Sequence, residues 1–139
     1  MGLDNGIVYK STYILKPRLI KKFLPEDPIE FKHFESRIDI CYWRKCWNVR
    51  RDILQILNRK PDNFGTYTLS HTDIVLIRKL MASYLLRSSL WDEYTSFWNW
   101  AEARRNIFNS YVALLWLERC VKRDERAKRP NLVYFYDSY

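Results

Sequence analysis

The sequence predicts an α+β fold, with three main helices packed with a small sheet formed by the N-terminal, middle and C-terminal strands. Three observations carry this. Strand-forming β-branched and aromatic residues gather near both ends of the chain. The apolar period changes from two to nearly 3.6 at Tyr42. Proline-containing breaks separate the periodic segments. The 139 residues suffice for one hydrophobic core and are too few for two, so residues 1–139 are expected to form a single α+β domain.

The elements follow in order. Residues 6–15, GIVYKSTYIL, present Ile7, Tyr9, Tyr13 and Ile14 and read as a first strand. Lys16-Pro17-Arg18 and the Pro25-Glu26-Asp27-Pro28 break form a loop or a short irregular helix. Between Ile29 and Ile40, Phe31, His33, Ile38 and Ile40 alternate as in a second strand. From Tyr42 to about Asn58 an amphipathic helix is predicted, with Trp43, Cys46, Trp47, Leu54 and Leu57 on one face. Tyr67 and Leu69 add a brief extended piece. Ser70 and Asp73 then resemble a capping box for a second helix, whose stripe is Ile74, Ile77, Met81, Tyr84 and Leu85. The longest helix is expected to begin between Trp91 and Trp98 and to run to about Lys122. Phe108, Tyr111, Val112 and Leu115 are its predicted core stripe, extended by Ile107, Leu114 and Leu117. Arg129-Pro130 stops it, and the closing NLVYFYDSY reads as a terminal strand. The first and last strands are expected to pair.

Composition narrows the function classes. Apolar residues make up 47% and charged residues 29%, as in an ordinary globule, whereas aromatics reach 17%. Three glycines and five prolines exclude a collagen-like or low-complexity chain. No apolar run approaches the ~18 residues of a membrane span, so no membrane partner is expected. Met1 to Lys10 lacks a basic stretch ahead of an apolar one, so no secretion signal is read there. The 24 Lys and Arg against 16 Asp and Glu leave a net charge of +8. That excess speeds encounter with polyanions, which points to nucleic acid, a nucleoprotein complex or an acidic protein surface. A merely solubilising surface is the plain alternative. Cys41, Cys46 and Cys120 form no CxxC pair, so neither a disulfide framework nor a zinc site is expected.

MGLD at residues 1–4, YWRK at 42–45 and the tail YFYDSY resemble a group of small phage and prophage proteins. These open with MGLD, carry a YWRK-type strand-to-helix junction and end in an aromatic strand. Asn5-Gly6-Ile7 departs from that group's usual opening, and this chain is more basic. The resemblance implies a viral origin, an α+β fold and a cytoplasmic location in the infected host cell. Phage proteins of this size are often inhibitors of host enzymes or of host defence, and that habit supplies the functional expectation.

Arg50 falls inside the apolar arc of the first helix. A buried guanidinium needs a partner, because an unpaired buried charge is costly. Asp4 or Asp39 is the expected carboxylate, which would tie the MGLD opening to the YWRK helix. A ligand phosphate is the alternative. Arg44 and Arg51 lie on the opposite side of that helix, either as a solvated face or as a strip for phosphates and acidic side chains.

On the longest helix, Trp98, Arg105, Asn109, Trp116 and Arg123 are spaced 7, 4, 7 and 7 apart. They project within about 20° of one direction. Indoles alternating with guanidinium groups suit stacking and polyanion contact. Alternatively, the tryptophans pack on the sheet under the arginines. Positive charge near the C-terminal end of this helix also complements its dipole. Enzyme signals are weak. His33 and His71 have no metal-ligand spacing, and a Cys41 or Cys46 thiolate paired with His33 lacks an orienting group.

The leading expectation is a non-enzymatic binding protein that occludes a host nucleic-acid-handling or defence complex, such as a CRISPR effector. Direct nucleic-acid binding is the first alternative. Sequestration of a nucleotide signal, with Arg50 or Arg105 on its phosphate, is the second. No cofactor or metal is expected. A homodimer through an exposed aromatic stripe is a further option.

Overall fold

The computed structural model describes residues 3–11, 36–44, 46–60, 65–87 and 100–138. Among them the chain forms strands β1 (Asp4–Ser11) and β2 (Ser36–Arg44), helix α1 (Trp47–Ile56) and strand β3 (Gly65–Thr68). Helices α2 (His71–Leu86) and α3 (Trp100–Arg126) and strand β4 (Asn131–Ser138) complete the order. The strands make one antiparallel sheet in the order β2-β1-β4-β3. The α+β expectation therefore holds, with strands drawn from both ends and the middle of the chain. β1 and β4 pair along their full lengths, from Asp4 opposite Ser138 to Ser11 opposite Asn131.

Strand alternation assigns the two sides of the sheet. Ile7 and Tyr9 of β1, Cys41 and Trp43 of β2, and Val133 and Phe135 of β4 are buried in the main core with side chains from all three helices. On the other side, Gly6 lies between Tyr42 and Tyr136 in register. A Cβ at Gly6 would strike the Cys41 carbonyl oxygen and sit 2.8 Å from the Tyr136 hydroxyl. Hydrogen is thus the only substituent that the packed strands admit there. One residue further on, β2 bulges. Ile7 faces Cys41 and Val8 faces Asp39, which leaves Ile40 as the extra residue.

Several local expectations change. Tyr42, Trp43 and Arg44 belong to β2, and the helix begins only at Trp47. Trp43 alternates with Cys41 toward the core in the two-residue step of a strand, so it does not share a helical face with Cys46 and Trp47. Arg44 is accordingly an exposed strand-end residue rather than a helical one. Trp47 is 48% exposed, because the buried stripe of α1 is Val49, Arg50, Ile53 and Leu54. Asn58, with φ 55°, turns the chain out of α1, and the Arg59 N–H donates to the Leu54 carbonyl at 2.8 Å. The capping box at α2 is present as read. Asp73 N donates to Ser70 Oγ at 3.2 Å, and Ser70 N donates to Asp73 Oδ2 at 2.9 Å. Strand residues expected at 12–15 and 29–35, and the predicted helix start between Trp91 and Trp98, lie outside the described residues.

Arg50 is buried as predicted, but its carboxylate comes from the C-terminal strand. Arg50 Nε donates to Asp137 Oδ2 at 2.7 Å, and both side chains are almost fully enclosed. The alternation of the sheet explains the choice. Asp137 lies opposite Asn5, on the side of β1 that carries Ile7 and Tyr9. Asp4 and Asp39 fall on the opposite side. Asp4 accepts from the Tyr42 hydroxyl at 2.7 Å, and Asp39 pairs with Arg37 at 3.5 Å. Burial pushes the Asp137 carboxyl up, and the Arg50 guanidinium pulls against that shift. Removing one partner of such a pair strands a charge in the core.

Arg50→Ala is therefore expected to cost about 3–5 kcal/mol, the range for breaking a buried pair. Arg51→Ala, whose guanidinium is half exposed in its pair with Asp52, should cost no more than about 1 kcal/mol. Urea denaturation midpoints compare the two, and coincident midpoints would place Arg50 outside the core.

Candidate functional site

The rotation of α3 decides which of its side chains meet water. Ala103, Ser110, Leu117 and Asp124 are buried at intervals of seven, with Ile107 and Leu114 between them. Two of these are polar, and both are held. Trp43 Nε1 donates to Ser110 Oγ at 3.2 Å, and Ser110 Oγ donates back to the Asn106 carbonyl at 2.8 Å. At the other end, the Tyr9 hydroxyl donates to Asp124 Oδ2, and Asn131 Nδ2 donates to the same oxygen at 3.1 Å. These contacts pin α3 to β2 near its start and to β1 and β4 near its end.

The opposite face is wet. Phe108 is 54% exposed, Val112 47% and Trp116 42%, which corrects the placement of Phe108 and Val112 in the core stripe. The correction has a physical cause. With Ser110 and Asp124 on the core face, Phe108 and Val112 lie nearly half a turn away and stay outside. Tyr111 and Leu115, also predicted as core, are half-buried. On α2, Arg78 Nε donates to Glu118 Oε2 at 2.6 Å, with Tyr111 close to the same guanidinium.

Of the predicted stripe, Arg105, Asn109, Trp116 and Arg123 share the exposed side of α3. Trp98 lies outside the described residues. The Trp116 ring stands at a steep angle to Tyr9, 6.3 Å between centroids and 82° between planes, so part of the indole is packed while 42% of the residue stays open. Arg51 does not join this face. It pairs with Asp52 at 3.2 Å, and the other oxygen of Asp52 accepts from the Tyr84 hydroxyl of α2 at 2.5 Å. Arg50 is committed to Asp137, which removes it as a phosphate ligand.

Two hollows follow the seam between α3 and β2. One, of about 480 Å³, lies beside Tyr42, Arg105 and Asn106. The next, of about 450 Å³, lies between Ile38 and the Phe108, Val112 and Trp116 ridge. Asp39, Ile40 and Asn109 line both, so the two form one groove. Beyond Trp116, Arg119, Lys122, Arg123 and Arg126 surround a third hollow of about 440 Å³. Sequence reading missed Phe108 and Val112 as surface residues, and Ile38 as a half-buried one beside them. The available signal was Ser110 and Asp124, fourteen residues apart and therefore on one helical face.

Chemical reactivity is muted among the described residues. Burial pushes the Cys41 thiol up to about 12, and it donates only a long 3.9 Å contact to the Ser110 carbonyl. Burial likewise raises Cys120. His33 lies outside the described residues, and His71 is half-buried at the start of α2. No group of three or more His, Cys, Asp or Glu side chains is placed to hold a metal ion among the described residues. No described helix is long and apolar enough to cross a membrane. No protein-family model, curated protein or solved structure matches the chain.

The Tyr9–Asp124 contact carries a pH signature. Burial first, and the Asp124 carboxylate next, push the Tyr9 phenol up to about 12 from 10.0. The folded chain thus holds a proton that the unfolded chain releases between those values. Stability from this contact is complete below pH 10 and is lost as pH rises toward 12. Tyr9→Phe should therefore cost most below pH 10, and the gap to the parent should narrow above it. Denaturant midpoints taken across pH 9–12 measure the gap; a constant gap would show that the phenol is not held in this way.

Proposed function

We propose that this chain is a non-enzymatic docking protein that works by covering a site on a host nucleic-acid-handling or defence complex, such as a CRISPR effector. The observation that carries the reading is the wet ridge of Phe108, Val112 and Trp116 on α3, continued by the basic hollow at Arg119, Lys122, Arg123 and Arg126. Large apolar side chains beside arginine make the buried anchors of protein interfaces, and surrounding charge sets the encounter rate. Arg105 has no hydrogen-bond or ion-pair partner among the described residues and flanks the ridge. The resemblance to MGLD-opening phage and prophage proteins supports a partner inside an infected cell. Occlusion needs no reacting group, in keeping with the protonated thiol at Cys41.

Direct nucleic-acid binding is a second reading, favoured by the four cations of the basic hollow. It predicts affinity that falls steeply with added salt, through counterion release. Affinity capture from host extract, with and without nuclease, separates the two readings. A partner retained after nuclease supports protein docking. Loss on nuclease treatment, with a salt-sensitive mobility shift by the purified chain, supports nucleic acid.

Arg105→Ala combined with Trp116→Ala should leave a cooperative fold, because both side chains reach solvent, and weaken capture at least about 30-fold. That factor corresponds to the ~2 kcal/mol of a central anchor. Phe108→Asp is a companion variant with a more exposed side chain. Melting curves and capture titrations on the same preparations check both properties. Full capture by folded variants would remove this face from the interface.

A further inference from the structure

The groove beside β2 has the dimensions of a strand-binding site. β2 ends the sheet, and no strand lies on its outer side among the described residues. One of its backbone groups is already engaged by a side-chain amide. Asn106 Nδ2 donates to the Tyr42 carbonyl at 3.3 Å, as the backbone amide of an added strand would. β2 and α3 run in opposite directions along the seam, with Tyr42 beside Asn106 and Ile38 in the hollow with Trp116.

The spacings match. Phe108, Val112 and Trp116 are four residues apart, so they rise about 6 Å per step along the helix. Alternate residues of an extended chain rise about 6.6–6.8 Å. Successive side chains on one side of an added strand would therefore meet successive members of the ridge. The bulge at Ile40 interrupts the edge, which discourages indiscriminate pairing, and Ile40 lines both hollows of the groove.

Charge says what the segment carries. Past Trp116 the groove gives way to Arg119, Lys122, Arg123 and Arg126, so acidic side chains belong at that end. A second copy of this chain would instead bring another net charge of +8 and a second basic hollow.

We propose that the partner protein adds one extended segment to the outer edge of β2. Alternate apolar side chains of that segment rest on Phe108, Val112 and Trp116, and an acidic cluster next to them fills the basic hollow. Backbone hydrogen bonds supply affinity, and the ridge and hollow supply selectivity. This rests on the reading of the outer face of α3 as the docking surface.

The test pans a displayed library of random twelve-residue peptides on the intact chain, then synthesises the enriched sequences. The expected motif alternates apolar residues and ends in acidic ones. Methylating alternate peptide nitrogens should weaken binding at least tenfold. Bound peptide should slow hydrogen exchange at the β2 amides, and Phe108→Asp should abolish both effects. Acidic peptides that tolerate N-methylation and leave β2 exchange unchanged would overturn strand addition. So would failure to enrich any such motif. If capture from host extract still depends on Arg105 and Trp116 in either case, only the strand is lost and the docking face stands. Protection of β2 that appears with concentration in the absence of peptide, together with a dimer in sedimentation, would assign the edge to a second copy and overturn the proposal.

Discussion

Two polar side chains on the inner face of α3 determine much of this structure. Ser110 meets the Trp43 indole of β2, and Asp124 meets the Tyr9 hydroxyl of β1 and the Asn131 amide of β4. A buried carboxylate and a buried hydroxyl must be satisfied, and the partners lie in fixed strands, so the helix has one acceptable rotation. A half-turn toward Phe108 and Val112 would expose Ile107, Leu114 and Leu117, and it would also pull Asp124 and Ser110 from their donors. An unsatisfied buried group costs about 1–3 kcal/mol, on the scale of one buried aliphatic side chain, so polar satisfaction and apolar burial hold the same rotation.

That rotation gives the molecule its asymmetry. On the inside, aliphatic and aromatic side chains from strands and helices share one core. On the outside, α3 shows an apolar ridge that leads into four cations. The sheet contributes its terminal strand to the same region, because the Asn106–Tyr42 contact and the Ser110 contacts hold β2 alongside the helix. Cys41, Cys46 and Cys120 are all buried.

Much of the fold was legible in the sequence because its signals are local. The Ser70–Asp73 box marks a helix start through contacts four residues wide, and the β-branched and aromatic ends mark strands that do pair. Arg50 was legible as a core residue from its helical position. Its partner was not, since Asp137 is brought to it by a strand pairing that joins the two ends of the chain. The junction near Tyr42 misled for a related reason. Cys41 and Trp43 alternate inward, and the bulge at Ile40 breaks the alternation before them, so a short window fits a helical period equally well. On α3 the apolar residues Phe108 and Val112 outvoted Ser110 and Asp124, because pattern reading weights greasy side chains and ignores where a buried acid finds its donors.

The central pairing of β1 with β4 also dictates when the molecule can become itself. Tyr9 meets Asp124 across 115 positions, and β1 leaves the ribosome well before β4, its partner in the middle of the sheet. Helices α1 and α2 can form as they emerge, but the core has no second central strand until β4 arrives. Such long-range closure is slow. Until then the edge of β1 that β4 covers stays unpaired, a template open to other chains.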